Sequence, residues 1–583
     1  IYLNAVQLMT DNAGWPLNCF ALHDGTPVFG GTYLTSSQFI DIAQSLQEAY
    51  CNQYDKVKEV GDDLIDALKH IDVITQKEVS SKFSENDVKL IVEPWKRKFD
   101  NVNGGTQNPP KFPLPNAKEF LMWAAYYLDD ELIKEHLLIT LDRMAEGAIF
   151  DQIGGGFFRY TIDAEWKIPH FEKMLYDNTQ LASLYAKGYR FTKNEKYKEI
   201  AEETANFMLR EMKSPNGAFY CSIDSDSKEG EGRYYMWTVQ ELKDVLKDEV
   251  DFAADYFGIF LQSAPTDVNI LFISKNEEEL ANKYSISVAD VKLKINNIKQ
   301  KLFDVRSKRR HPLIDKKIIA SWNGLAIASL LNLYVAFNNE KYLDAAKNTA
   351  QYIKNELMYS GGRIYRCITS KTPIEGFLDD YAFVIKAFIL LFQLTSDKQY
   401  ISDAKEMADY VIEHFYDEQS GMFYFSSDEQ EITLGRKMDF IDRAISSSCS
   451  EFMQDLMLLS HIYNNEQYYE YSKQMLLNVK SQMPGAGPFI SNWAKMLFYY
   501  TYKPVVVKVS KVTLKAVQSM WSQFLPNIII FPSLSDNKEE ESIFAQNQTR
   551  FTIREDPEFM QGDIELLAEV AIINKNNLQQ ISI

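Results

Sequence analysis

Paired cysteines are missing from this chain. Its five, Cys19, Cys51, Cys221, Cys367 and Cys449, stand far apart and form no C-x-x-C pair. That removes a dithiol redox centre and a cysteine-rich zinc site from the readings. Scattered thiols in odd number fit a reducing, cytoplasmic setting. Positive charge is scarce as well: 62 Lys and Arg face 81 Asp and Glu, a net charge of −19. Nucleic-acid binders show a basic stripe and anionic membranes attract one, so neither partner is expected. No apolar run approaches the length of a membrane span. P-loop, G-x-G-x-x-G, H-E-x-x-H and G-x-S-x-G motifs are absent. Phosphate transfer, dinucleotide chemistry and serine hydrolysis therefore lack support. The acidic stretch "DSDSKEGEG" does not match the ligand spacing of an EF-hand, so no metal or cofactor is read. A starting Met and a signal-peptide pattern are also missing from "IYLNAVQLMT", and the expectation is that further sequence precedes it.

What is present is helix and aromatic residue. The 583 residues argue for more than one domain, and 46% hydrophobic content supports a sizeable core. Aromatic residues make up 13%, with 33 Tyr and 36 Phe, which suits a large helical core or a site that grips flat ligands. Residues 1–67 read as half of a small α/β domain. "NCFALH" and "TPVFGG" are strands around the turn "DG", followed by the capped helix "TSSQFIDIAQSLQEAY". From 84 to 502 the chain is helical and repetitive. Glycine-aromatic segments recur: "GGGFFRY" at 154, "GAFYCSI" at 217, "GGRIYRC" at 361, "GMFYFSS" at 421 and a weaker "GPFIS" at 487. A period near 60 residues of helix, helix and short extended turn marks an array of helical hairpins. Five are expected, at 116–147, 173–213, 318–358, 378–416 and 449–482. Helices near 84–99 and 489–502 would pair as a sixth and close a mainly α, (α/α)6 toroid in preference to an open superhelix, which needs polar end caps. A lobe at about 228–312 interrupts the array. Residues 503–583 read as a small α/β appendage, with strands "PVVVKVS" and "NIIIFPSL" flanking the helix "TLKAVQSMWSQFL".

In such a toroid the inner helices line a funnel, and polar residues at their starts and in the preceding loops are the candidate site. "DAEWKIPHFEKMLYDN" supplies Trp166, His170, Glu172, Tyr176 and Asp177, just after Arg159 and Tyr160. A His among acids can move a proton near neutral pH, although a lone His is more often a packed core residue. "CSIDSDSKEGEGRYYMW" supplies Asp224, Asp226, Glu229, Glu231, Tyr235 and Trp237, with a solvated acidic loop as its plainer reading. "SWNG" places Trp322 and Asn323 at a helix start, where Trp322 either stacks on a sugar or packs in the core. "FLDDYAF" places Asp379, Asp380 and Tyr381 at another, and helix capping accounts for one of the acids. One His, several carboxylates and many rings suit sugar chemistry, in which acid and base have separately tuned protonation.

The same stretches resemble a known family. "NAVQLMTDNAGWPLNCFALHDGTPVFGGTYL", "PPKFP", "GGGFFRYTIDAEWKIPHFEKMLYDN", "SWNGLAIASL" and "LDDYA" look like the thioredoxin-domain proteins related to spermatogenesis-associated protein 20. The resemblance implies a thioredoxin-like domain, with Pro16 in its cis-proline position and its C-x-x-C upstream of residue 1. It implies next a six-hairpin glycosidase-like toroid, similar to N-acylglucosamine 2-epimerase. His170, Glu172, Asp177, Asp224, Asp226, Trp322, Asn323, Asp379 and Asp380 match its pattern. Two positions depart from it. Asp315-Lys316-Lys317 stands where two adjacent acids precede a Lys, and Cys449 ends an "SGN"-like turn where an Asn would face the funnel.

Two functions follow as expectations. One is a carbohydrate-active enzyme, an epimerase, isomerase or glycoside hydrolase, with His170 as acid or base. Glu172, Asp177, Asp224, Asp226, Asp379 and Asp380 would be its partners. A small carbohydrate-like ligand would be held by Arg159, Tyr160, Trp166, Tyr235, Trp237, Trp322, Asn323 and Tyr381. The other is a non-catalytic binding or redox-adaptor protein that keeps the toroid as a recognition surface.

Overall fold

The computed structural model describes residues 2–71, 74, 82–262, 264, 266–369, 372–430, 435–502, 504–509, 521, 523–526, 528–534, 542–544 and 550–552. The chain begins with helix α1 (Tyr2–Thr10), an antiparallel hairpin of Asn18–Ala21 and Pro27–Gly31, and helices α2 (Ser36–Asn52) and α3 (Tyr54–Ile71). Thr35 caps α2 through a reciprocal pair with Gln38, and the Trp15–Pro16 bond is cis.

Twelve helices build the toroid: α4 (Glu85–Lys96), α5 (Pro115–Leu128), α6 (Glu131–Glu146), α7 (Leu175–Thr192) and α8 (Glu195–Phe207), then α13 (Ala320–Phe337), α14 (Glu340–Tyr352), α15 (Leu378–Thr395), α16 (Lys398–Phe415), α17 (Ser448–Tyr463), α18 (Glu466–Lys480) and α19 (Ser491–Tyr502). Each hairpin turn is made the same way. The inner helix ends on a left-handed residue, Asp129, Lys193, Asn338, Ser396 or Asn464, and the next residue caps the outer helix. The cap side chains of Asp130, Asn194, Asn339, Asp397 and Asn465 each accept a backbone N–H from the first turn. Asn and Asp tolerate the left-handed turn and satisfy otherwise orphaned helix donors. This chemistry appears in the sequence as "NEKY", "NEKY", "DKQY" and "NEQY".

Helices α5, α7, α13, α15, α17 and α19 pack in that order, and α19 returns to α5. Outer helices α6, α8, α14, α16 and α18 each pack on the inner helix preceding them, and α4 packs on α19. The ring therefore closes with α4 and α19 as its sixth pair, as the sequence predicts. Outer and inner helices alternate along the chain, so all six inner helices run parallel and start at one end.

The glycine-aromatic connectors are architectural. Gly155 and Gly362 adopt φ of +74° and +69°, and each lies on the backbone of an outer helix, at Glu203 and Glu406. A side chain at either place would collide with that backbone. The residue two positions on is caught by the next inner helix. Asn178 takes the Phe157 N–H at 2.6 Å and gives its amide to the Phe157 carbonyl at 3.0 Å. Asn323 does the same to Phe219, at 2.7 and 3.1 Å. The Tyr381 hydroxyl accepts from Ile364 N–H at 3.3 Å, and the Cys449 thiol donates to the Phe423 carbonyl at 3.2 Å.

Between α8 and α13 lies the inserted lobe, with α9 (Val239–Leu246), α10 (Val250–Phe257), α11 (Glu277–Tyr284) and α12 (Val288–Arg306) around a core of its own. One correction concerns hydrophobic length. Helix α13 is long and apolar enough to cross a membrane, but 72% of it is buried in the protein, where it walls the ring between α7 and α15. Beyond the toroid, strands Val505–Val509 and Ile528–Pro532 pair in parallel, and Ser542–Phe544 adds antiparallel to the first. Most of the helix expected at 513–525 lies outside the described residues.

Candidate functional site

The parallel inner helices put their first turns, and the loops before them, at one mouth of the toroid. Two charged groups form there, with an aromatic bridge between them.

The first group surrounds His170. Short strands Tyr160–Thr161 and Pro169–His170 pair so that His170 lies opposite Tyr160, and their rings stack at 5.1 Å. His170 Nδ1 bonds Glu231 Oε1 at 2.7 Å, and Nε2 is 3.9 Å from Glu172. The imidazole keeps 27% of its side chain exposed. Glu231 reaches it from the Asp226–Ser227/Gly230–Glu231 hairpin. Glu172 also accepts from Arg159 Nη1 at 3.0 Å. Asp177 is buried behind them on the first turn of α7, and its Oδ2 has no partner. Burial raises its carboxyl well above the usual range against the pull of Arg159, and Glu172 adds to the rise. The adjacent Tyr176 hydroxyl is raised too, by burial and then by Asp177.

Tyr176 leads to the second group. Its ring meets Trp322 edge-on at 4.9 Å, and the two pack with Leu325 and Phe383. Next to Trp322, Ser321 N–H donates to Asp380 at 3.0 Å. Asp380 also accepts from Phe377 N–H at 3.1 Å and from Arg366 Nη1 at 2.9 Å. The same Arg366 nitrogen bonds both oxygens of Asp379, at 2.9 and 3.0 Å. Burial and then Asp380 raise the Asp379 carboxyl despite Arg366, and Asp439 pushes the same way. Asp439 lines a cavity of about 450 Å³ beside this group, together with Asn4, the stacked rings of Phe377 and Phe425, Lys437, Phe440 and Arg443. Nearby, burial pushes Asp442 up to about 7, although Ser447 and Asn492 N–H both donate to it. Among the described residues no hydrogen bond or ion pair joins the His170 group to the Asp379 group.

The structure thus gathers His170, Glu172, Arg159, Tyr160, Tyr176 and Asp177, and separately Asp379 and Asp380, with half-buried Trp322 between. Of the other named residues most are committed to the protein's own packing, while Asp224 and Asp226 stand exposed, Asp226 directly opposite Glu231 in its hairpin. Trp166 is wholly buried, donates Nε1–H to the Asn103 carbonyl at 2.8 Å and packs against Gly105 and Gly147, so it offers no face to a ligand. Trp237 lies in the core of the inserted lobe under Arg309. Tyr235 is buried on Phe171, with Lys173 and Arg306 over its ring. Asn323 and Tyr381 are the connector latches described above. Asp224 and Asp226 are exposed, with Asp224 accepting the Asp226 N–H at 3.1 Å. Cys449 faces its connector and not the funnel, so a thiol there replaces a structural group. Lys316 is exposed, and its neighbour Lys317 pairs with Asp315 at 3.0 Å.

Sequence reasoning missed Arg366, Asp439, Asp442 and Arg443, and left Glu231 unassigned to His170. Arg366 sits inside a connector whose aromatic pattern drew attention away from it. Asp439, Asp442 and Arg443 belong to a loop without a motif.

These features define a class: a six-hairpin (α/α)6 toroid with acids, one His and aromatic rings at the mouth, preceded by a hairpin-and-helix segment. Residues 1–69 match a family model described as Thioredox_DsbH, protein of unknown function, DUF255. The chain is 30% identical over 522 residues to Uncharacterized protein B0495.5 of Caenorhabditis elegans, covering 81% of this chain and 70% of the relative. It is 27% identical over 608 residues to human Spermatogenesis-associated protein 20, covering 94% and 76%. The chain belongs to the thioredoxin-domain family related to spermatogenesis-associated protein 20. Among solved structures it is similar to a D-mannose isomerase at 11% identity and a TM-score of 0.44, covering 83% of this chain and 97% of that one. It is also similar to a family 76 glycoside hydrolase (mannosidase) of Bacteroides thetaiotaomicron at 9% identity and a TM-score of 0.41, covering 71% and 99%.

Proposed function

We propose that the protein is a carbohydrate-active enzyme, a sugar epimerase or isomerase or a glycoside hydrolase, that works by general acid–base catalysis at the toroid mouth. The observation that supports this most is the setting of His170. It is partly exposed, anchored through Nδ1 to Glu231, and leaves Nε2 toward Glu172 and solvent. An imidazole oriented by a carboxylate is poised to exchange a proton with a ligand hydroxyl or C–H. Behind it, burial pushes the Asp177 carboxyl up, while Glu172 a few residues away is ion-paired with Arg159, so the two carboxyls sit in opposite settings. Half-buried Trp322 supplies a ring for a small sugar. Asp379, raised by burial and by Asp380, is a second carboxyl of shifted titration at the mouth.

A second reading, a non-catalytic binding or redox-adaptor protein, is favoured by one set of observations: Trp166, Trp237, Asn323 and Tyr381 are committed to the protein's own packing. A monosaccharide and disaccharide panel scanned by thermal shift, followed by NMR of product formation, separates the two. The enzyme reading expects a sugar that raises the melting temperature of wild type and of His170→Gln alike, with turnover lost only in the variant. A sugar bound but never converted by wild type leaves the binding reading. No shift with any sugar removes the carbohydrate assignment.

A further inference from the structure

Below the mouth, the toroid axis holds a separate feature. A cavity of about 50 Å³ is bounded by side chains from all six inner helices. Its walls are charged, which the apolar helices around it do not announce. Glu119 on α5 takes Lys187 of α7 at 2.9 Å and Lys495 of α19 at 3.3 Å. Glu451 on α17 takes Lys386 of α15, the Ser446 hydroxyl at 2.5 Å and the Asn492 amide at 3.2 Å. Burial opposes ionisation of both carboxyls, yet the lysines hold each below its ordinary range. Asp455, one turn beyond Glu451, is raised far above its range by burial and by Glu451, with Lys386 pulling the other way. Across these ion pairs three lysines meet two glutamates, and burial lowers Lys187 although Glu119 pulls it back up.

A buried charge without a counter-charge is costly, and buried donors without acceptors are rare. Both point to the same place. Ser329, 2% exposed, lines this cavity, and its Oγ has no partner. The Asn116 Nδ2, also on the lining, has none either. One water needs ~10–15 Å³ and a drug-sized ligand pocket ~300 Å³ or more. The cavity therefore admits a small ion with a few waters beside it and excludes a drug-sized ligand, and its charge selects the sign. We propose that the axis binds one monovalent anion of chloride size, taking hydrogen bonds from Asn116 and Ser329 and offsetting the surplus at Glu119, Lys187 and Lys495. The site joins α5, α7 and α19, and so secures the seam where the ring closes.

The test uses the full chain and two salts of equal ionic strength, sodium chloride and sodium gluconate, whose anion is too large for the cavity. Chloride is expected to raise the melting temperature along a saturating curve that gluconate does not reproduce. Crystals grown in bromide are expected to show an anomalous peak between Asn116 and Ser329. Asn116→Asp places a negative charge in the cavity and should abolish the chloride response. Ser329→Ala keeps the charges and should move the curve to higher chloride. Identical melting in the two salts, absence of the bromide peak, or an undiminished chloride response in both variants overturns the proposal.

Discussion

Replacing Asn323 by alanine tests the reassignment of this residue from ligand contact to connector latch. Its side chain is fully buried and makes three hydrogen bonds, to Phe219 N–H and to the carbonyls of Phe219 and Ile319, at 2.7, 3.1 and 3.0 Å. Alanine strands the Phe219 N–H inside the protein, which costs about 1–3 kcal/mol. The two carbonyls lose less, about 0.5–1 kcal/mol each, since Ile319 O keeps the helix bond from Asn323 N–H. The sum is about 2–5 kcal/mol. Asn178→Ala should cost a similar amount, because its contacts with Phe157 repeat the geometry. Cys449→Ala should cost about 1 kcal/mol, since a thiol donor is weak and the volume lost is small. Denaturant unfolding gives the ranking, and hydrogen exchange at the Phe219 amide reports the latch directly. An Asn323→Ala protein as stable as wild type, with unchanged protection of Phe219, would refute the latch and return Asn323 to the ligand site.

Three further expectations follow. Gly362→Ala should destabilise by about 3 kcal/mol or more and Gly361→Ala by only about 1 kcal/mol. Both have positive φ, but only at Gly362 would the new carbon meet backbone, 2.3 Å from the Glu406 carbonyl. Equal melting temperatures for the pair would contradict the packing. Lys173→Met should cost about 2–4 kcal/mol, because Lys173 pairs with buried Asp151 at 2.8 Å and Arg306 alone would then hold that carboxylate. Unfolding curves that superimpose on wild type would count against it. His136 stacks on Phe99 at 3.7 Å, and burial, then Lys118, pushes its pKa down to about 3. A base depressed in the folded state contributes stability that is full above its unfolded pKa of about 6.5 and drains as pH falls toward 3, by up to about 4 kcal/mol. His136→Phe should therefore flatten the acid limb of a stability–pH profile between pH 6.5 and 4, and parallel profiles would exclude this role.

Local chemistry carried much of the fold. The five hairpins and the closing pair are readable because each inner helix needs an apolar face and each turn needs residues that tolerate left-handed backbone and cap the next helix. The "NEKY"-type tetrads are that requirement written four times, a signal as strong as the glycine-aromatic connectors. The site was only partly legible. His170, Glu172 and Asp177 are close in sequence, so one loop announces them. The partner of His170, Glu231, is 61 residues away on a hairpin of the inserted lobe. Arg366 joins Asp379 and Asp380 from a strand, and the axial charges come from single positions on otherwise apolar helices.

By itself, then, the sequence determined the repeat, its closure into a ring and the end at which polar loops collect, because helix periodicity, capping and glycine backbone freedom act over a few residues. Only the tertiary structure decided which way each side chain faces. Trp166 and Trp322 are both tryptophans beside connectors, yet one fills the core and the other lies at the mouth. Burial and charge pairing depend on neighbours brought from distant parts of the chain, and those same neighbours push the Asp177 carboxyl up and the Glu119 carboxyl down.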